Sequence, residues 1–400
     1  MRSFRAIGGA GLALSLLVSS PAMAASVAAP PPQGAPAESE IAPSVAIDTE
    51  ANFAFVEDAT TGAVLLAKDP NARLYPASLN KMMTAYVVFG MLKNASAKLS
   101  NKLAVSKRAW QTGGSRMFLP LGAEVSINDL LQGLLVDSGN DAAVCLAQGL
   151  GGTQAGFVKL MNETAKKIGL TGSHFADPTG LPNPDDWMTA RDLATLALRT
   201  IKDFPQYYHY YGQKSFTFNK ITQGNRNPLL YRNMGADGLK TGYTKISGYS
   251  LTASAVEGGE RIVMVLSGLP SEKARAEEGE RVLAWAFRTF ADYRLFSQGQ
   301  RVDEAPVWLG AAPEVPLTVA KGLVVTLPRS ARAGMKVTLS YTSPIPAPIR
   351  KGETVGKILV SAPGVKPVEV PLVAGASVAR MSRLARIPAL AGYLVWGRRR

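Results

Sequence analysis

The stretch Tyr75-Pro76-Ala77-Ser78-Leu79-Asn80-Lys81-Met82-Met83-Thr84 organises the whole chain. A proline-led turn carries Ser78, and the strongly apolar run from Met82 to Leu92 behind it predicts a buried helix. Positions three apart on a helix share a face, so Ser78 and Lys81 meet without help from the rest of the fold. A helix N-terminus also aims free N–H groups and the positive end of its dipole at a developing anion. A lysine acting as a base must shed its proton near neutral pH. Burial and neighbouring cations lower its pKa toward about 7–8. Ser78 taken alone reads as a helix cap and Lys81 alone as a solvated side chain.

Two later signals give the pair its company. Ser138-Gly139-Asn140 breaks an apolar helical stretch, and Lys240-Thr241-Gly242 opens a strand-rich region. Ser138 and Asn140, two apart in a non-helical segment, can face one cleft: the hydroxyl relays a proton and the amide holds a carbonyl. Lys240 is a candidate for the cation beside Lys81, or for holding an anionic substrate group. Gly242 lets a substrate backbone approach the strand edge closely, as in β-augmentation. A P-loop would need glycine where Leu239 stands, and the Gly-x-Ser-x-Gly elbow is absent. Cys145 lies among Val144 and Leu146 and reads as core. His174 and His209 lack an evident acid or nucleophile partner and read as non-catalytic.

Outward from these motifs the pattern is α+β. Phe53–Val56 and Ala63–Leu66 read as a hairpin across Asp58-Ala59-Thr60-Thr61-Gly62. Ile127–Val136 and Asp141–Leu150 read as helices. Residues 249–255 and 261–268 form a second hairpin, and Glu277–Phe290 an amphipathic helix that closes the domain. Antiparallel strands with helices around them define residues 44–296 as the catalytic domain. Beyond Gln298, short strands at Leu317–Val319, Leu323–Leu327, Lys336–Tyr341, Thr354–Val360 and Val368–Leu372 predict a small β-rich domain over 300–375.

The chain has 400 residues, 46% of them hydrophobic and 18% charged, which supplies two cores and excludes a largely disordered protein. One cysteine excludes an internal disulfide or cysteine-built metal site, and two histidines leave little for another; no metal and no cofactor are expected. The net charge is +14, of which the six arginines of the C-terminal tail supply +6. Residues 1–24 read as a signal peptide: Arg2 and Arg5, an apolar run from Ile7 to Val18, then Ala22-Met23-Ala24. Residues 25–43 are a Pro/Ala-rich leader. From Ala376 to Arg400 no acidic residue occurs, and Arg380, Arg383, Arg386 and Arg398-Arg399-Arg400 interleave with apolar residues and Trp396. That basic amphipathic tail predicts an anchor on an anionic membrane surface. Export leaves nucleic acid without a role as partner.

The set Ser-x-x-Lys, Ser-x-Asn, Lys-Thr-Gly resembles the active-site serine penicillin-recognising enzymes. Longer strings agree: Pro76 to Thr84, Asp129 to Ala142 and Gly235 to Thr244 resemble the low-molecular-mass penicillin-binding proteins, the D-alanyl-D-alanine carboxypeptidases of peptidase family S11. The resemblance spans nearly all of 44–296, and the β-rich domain and basic tail are similar to that family's architecture. It implies the penicillin-recognising peptidase fold, peptidoglycan stem peptides as substrate and β-lactams as covalent inhibitors. It implies Ser78 as the acylated nucleophile, Lys81 as general base, Ser138 as proton relay and Asn140 as holder of the acyl peptide. Lys240 and Thr241 would engage the terminal carboxylate. The N–H groups of Ser78 and Tyr243 would form the oxyanion hole. Arg275 falls where the family has an arginine near the carboxylate, with Arg226 a second candidate.

The chain departs from the family at Tyr243, where some relatives carry histidine, and at Asp186-Trp187-Met188, where relatives often show a His-Ser pair. The enzyme would sit at the periplasmic face of the cytoplasmic membrane. A D,D-endopeptidase uses the same residues. A class A β-lactamase needs a glutamate between the second and third motifs, where only Glu163 occurs, inside a predicted helix. A non-catalytic wall-binding scaffold would not need Ser78 and Lys81 together.

Overall fold

The computed structural model describes residues 45–387. The predicted signal peptide, the leader and residues 388–400 of the tail lie outside the described residues. The chain opens with the expected hairpin, β1 (Phe53–Asp58) and β2 (Val64–Lys68). Asp58 closes its turn by accepting the amides of Thr60 at 2.9 Å and Thr61 at 2.8 Å, the local bonding that favours Asp in turns. A 3₁₀ turn over Ala77–Asn80 leads into α1 (Lys81–Lys93).

There follow β3 (Lys102–Ala104), α2 (Lys107–Gln111), β4 (Glu124–Ser126), α3 (Ile127–Leu135), α4 (Asn140–Gly151), α5 (Gln154–Ile168), α6 (Ala190–Asp203), α7 (His209–Gly212), β5 (Ser215–Phe218) and β6 (Ile221–Gly224). Three long strands, β7 (Ala236–Thr244), β8 (Gly248–Glu257) and β9 (Glu260–Leu269), precede α8 (Glu272–Thr289). These strands and the first hairpin make one antiparallel sheet in the order β2-β1-β9-β8-β7, which leaves β7 at an edge.

Both faces of the sheet are covered, and β9 shows how. Val263 and Val265 join the core around α1, while Ile262, Met264 and Leu266 pack with Val282, Leu283 and Ala286 of α8. Successive strand residues point to opposite faces, so a strand buried on both sides reads as a continuous apolar run. Helix α1 is buried almost all round, with Met82, Met83, Val88 and Phe89 at 0% exposure. Each such side chain contributes roughly 1.5–3 kcal/mol of burial. The first motif is therefore fixed to the centre of the molecule.

Two differences from the sequence-based expectation concern helix starts. Helix α8 begins at Glu272, not Glu277, because Ser271 Oγ accepts the amide of Ala274 at 3.0 Å, the ordinary N-cap bond. Helix α6, not among the helices read above, is capped by Thr189, which accepts the amide of Asp192 at 3.0 Å.

The C-terminal part is all β: β10 (Phe290–Phe296), β11 (Arg301–Trp308), β12 (Glu314–Val319), β13 (Leu323–Pro328), β14 (Lys336–Tyr341), β15 (Ile345–Pro346), β16 (Thr354–Ala362) and β17 (Val365–Ala374). A six-stranded sheet runs β14-β16-β17-β12-β11-β15, and β10 pairs with β13. Their core includes Leu317, Val319, Val325, Leu327, Ile358 and Leu372. Strand β10 follows α8 with no turn between them, so a sequence pattern has nothing to mark where helix becomes strand.

Candidate active site

Ser78 sits in the 3₁₀ turn, half-buried, with Lys81 one turn later as the first residue of α1. Lys81 Nζ lies 2.9 Å from Ser78 Oγ and donates to the carbonyl of Thr179 at 2.6 Å. The side chain is 0% exposed. Burial drives its pKa down to about 7, against the opposing pull of Asp177, and Arg226 lowers it further. A charged ammonium loses its hydration there without a full counter-ion, so the neutral amine is accessible near pH 7. Arg226 is thus a neighbouring cation, and Lys240, the candidate the sequence offers, also interacts with Lys81 through charge.

Ser138 and Lys240 form the opposite wall. Lys240 Nζ donates to Ser138 Oγ at 2.9 Å and to its neighbour's carbonyl, Thr241 O, at 3.0 Å. Lys240 is 3% exposed, and burial first, then Lys81, holds its pKa well below the usual lysine value. A carboxylate brought alongside would supply the missing counter-ion and restore the charge. Ser138 has φ +58°, a left-handed conformation that costs a non-glycine residue about 1 kcal/mol. Asn140 differs from expectation in being the first residue of α4 and not part of the break. Its Nδ2 donates to Gly113 O at 2.7 Å, and its backbone amide to Ser115 O at 2.7 Å. Asp141 holds the same loop by accepting the amides of Met117 at 3.0 Å and Leu119 at 3.1 Å.

Strand β7 brings Lys240, Thr241, Gly242 and Tyr243 past the nucleophile. A Cβ at Gly242 would lie 3.0 Å from Pro76 O and 3.3 Å from Ala77 Cβ. The glycine thus lets the strand press against the turn that carries Ser78, a second reason for its presence that no sequence pattern shows. Tyr243 is half exposed and its ring lies 4.2 Å from that of Tyr249. Arg275 of α8 is buried, reaches over Tyr249 at 5.6 Å and donates from Nη2 to Glu272 at 2.8 Å. Its Nε is buried with no hydrogen-bond partner, a donor left over for an anion. Arg226 donates to Ser115 Oγ, and its charge reaches Lys81, Lys240 and Arg275.

One part of the site has no counterpart among the sequence motifs. The loop Asp177-Pro178-Thr179-Gly180 supplies the carbonyl that holds Lys81 Nζ. Asp177 Oδ1 accepts the amides of Thr179 at 2.7 Å and Gly180 at 2.8 Å. The Asp-Pro-Thr-Gly string is a turn signal, but its pairing with α1 some hundred residues earlier is long-range. Cys145 is buried and its thiol pushed up to about 12 by burial. His174 stacks on Trp187 and His209 on Tyr210. Glu163 of α5 pairs with Lys159 on the helix surface. No group of three or more metal-ligating side chains occurs among the described residues.

A serine with its lysine one turn on, a second serine bonded to a second lysine, and an edge strand running between them define a serine acyltransferase site on the penicillin-recognising fold. Residues 38–270 match the family model described as D-alanyl-D-alanine carboxypeptidase, and 290–380 match that of the penicillin-binding protein 5 C-terminal domain. The chain belongs to the D-alanyl-D-alanine carboxypeptidase family, peptidase S11.

It is 41% identical to D-alanyl-D-alanine carboxypeptidase DacC of Escherichia coli K12 over 75% of this chain and 77% of that protein. It is 37% identical to DacA of Haemophilus influenzae over 77% of this chain and 80% of that protein. The crystal structure of penicillin binding protein 5 from Haemophilus influenzae superposes with a TM-score of 0.77 at 35% identity, covering 84% of this chain and 99% of that one.

Proposed function

We propose that the protein is a serine D-alanyl-D-alanine carboxypeptidase that removes the terminal D-alanine from peptidoglycan stem peptides and is acylated by penicillin at Ser78. The observation that carries this is the 2.9 Å contact between Ser78 Oγ and a fully buried Lys81 amine. With Nζ neutral, the Ser78 hydroxyl donates into the nitrogen lone pair, and Oγ attacks the carbonyl of the penultimate D-alanine. The N–H groups of Ser78 and Tyr243 receive the oxyanion. Asn140 holds the acyl peptide, while Lys240, Thr241 and Arg275 receive the terminal carboxylate. Ser138, bonded to Lys240, passes a proton to the departing amine. The proton Ser138 gives is made good by the one Lys81 took from Ser78, so Lys81 is neutral again; water then attacks the ester, Lys81 takes its proton, and that proton returns to Ser78 Oγ as the acyl bond breaks.

Ser78→Ala is expected to abolish both D-alanine release from a D-Ala-D-Ala peptide and stoichiometric labelling by penicillin. Mass spectrometry reads the label, and a variant that still labels refutes the assignment. Monomeric and cross-linked muropeptides, with products identified by mass, separate the carboxypeptidase from a D,D-endopeptidase.

We further propose that the protein is exported and rests on the periplasmic face of the membrane. The order of charged, apolar and small residues at the N-terminus supports export. At the other end, residues 383–387 are helical, and Leu384 and Ile387 are 82% and 67% exposed beside arginines. No helix among the described residues is long and apolar enough to cross a membrane. Removal of residues 376–400 is expected to release the protein from anionic vesicles in a flotation assay; retained binding contradicts the tail's role.

A further inference from the structure

Beyond Ser138 and Asn140, the loop over residues 113–119 carries a strained aromatic side chain. Phe118 has φ +64° and is 44% exposed, a conformation that bulky residues rarely adopt and that persists only where the surroundings impose it. Buried Asp141 imposes it by accepting the amides on either side, those of Met117 and Leu119. The side chains of Met117 and Leu119 are buried in the core around α1. With both neighbours turned inward, Phe118 is left facing solvent, and the guanidinium of Arg116 lies over its ring at 5.5 Å.

The hairpin of β5 and β6 continues this surface. Gln223 donates to Arg116 O at 2.8 Å, Arg226 to Ser115 Oγ, and the Tyr231 hydroxyl to Lys214 O at 2.7 Å. Tyr231 is 54% exposed, and Arg116, Lys214, Lys220 and Arg226 are all exposed. Residues 99–123 and 204–236 contain no Asp or Glu. Among the described residues none of these four cations stands in an ion pair. Cations without counter-ions, with two exposed rings beside them, make this rim of the cleft complementary to a polyanion.

We propose that this rim is a docking surface for the peptidoglycan polymer, taking the carboxylates and sugar rings of a strand other than the one whose stem peptide occupies the cleft. This rests on the carboxypeptidase reading and adds to it a partner held outside the reacting centre. A wall strand offers free carboxylates on its stem peptides and the apolar faces of its sugars, which suit arginine, lysine and exposed aromatic rings. A polymer held here keeps further stem peptides at high effective concentration beside Ser78.

The test sediments the purified protein with protein-free peptidoglycan sacculi and compares D-alanine release from sacculi with release from a soluble peptide ending in D-Ala-D-Ala. Phe118→Gly combined with Arg116→Ser should weaken sacculus binding roughly fivefold. Release from sacculi should fall with it, while kcat/KM for the soluble peptide stays within about twofold. Glycine accepts the left-handed backbone, so Phe118→Gly alone should keep or raise the melting temperature while it weakens binding. Raising salt, which screens exposed charges, or amidating the carboxylates of the sacculi should weaken wild-type binding. Lys214→Ser, on the hairpin and clear of the loop, should act in the same direction. Lys321→Ser, an equal loss of charge at an exposed position in the β-rich domain, should not. Unchanged binding in the rim variants, or an equal loss in Lys321→Ser, overturns the docking surface and leaves the carboxypeptidase standing. Rim-dependent binding to anionic vesicles with sacculus binding intact overturns it too, as does an equal fall in turnover of the soluble peptide. No release from either substrate by the wild type overturns the carboxypeptidase reading, and the role of the rim with it.

Discussion

Lys81→Met is expected to slow acylation of Ser78 by penicillin by roughly 100- to 10,000-fold, the usual contribution of a positioned general base. Methionine is close to lysine in length and suits a site that is 0% exposed, so the loss reports chemistry and not collapse of the fold. The same variant tests the electrostatics through stability. The lysine pKa falls from 10.5 in the unfolded chain to about 7 in the folded protein. Between those values the unfolded state binds more protons, and the stability contributed at this site rises with pH. Below about 7 the wild type bears the whole penalty of the buried charge; above 10.5 it bears none. The melting temperature of Lys81→Met minus that of the wild type is therefore expected to shrink steadily from pH 7 to pH 10. A difference independent of pH would mean that Lys81 keeps an ordinary pKa.

Gly180→Ala should be the most damaging single methyl group in the site. Gly180 has φ +76°, and a Cβ there would stand 1.8 Å from Ala77 O and 3.0 Å from Asn80 Cβ. Backbone lies on the blocked side, so no side chain can swing aside. Left-handed strain and overpacking together cost about 3 kcal/mol. Relief requires the 177–180 loop to leave the Ser78 turn, which carries the Thr179 carbonyl away from Lys81. Thermal unfolding should shift down by several degrees, and penicillin acylation should fall with it. A variant with native stability and native acylation would show that the loop does not set the lysine's position.

The parts of this molecule that local chemistry governs are legible in the amino-acid sequence. Ser78 and Lys81 are one helical turn apart, so their contact needs only the helix. The first hairpin is announced by Asp58 through Gly62, and the turn bonds form as that string implies. What stays hidden is long-range. The Thr179 carbonyl, the Asn80–Asp186 bond and the Gly113 carbonyl that holds Asn140 all join residues far apart in sequence. No periodicity encodes such pairings. The distribution of charge is equally hidden: Lys240 suggests itself as a cation beside Lys81, but the part of Arg226, which also lowers the Lys81 pKa, is not evident from its place in the sequence. Gly242 illustrates a third limit. Its smallness is evident, but which backbone it admits depends on the 3₁₀ turn behind it.

The most direct test is the pH dependence of the second-order rate constant for penicillin acylation, followed from pH 5 to pH 10 in wild type and Lys81→Met. A buried, neutral Lys81 acting as the base predicts a rate that climbs through an apparent pKa of about 7 and then levels, with that limb missing in the variant. A wild-type rate that stays flat through this range, or rises only near pH 10 as for an ordinary lysine, would contradict it.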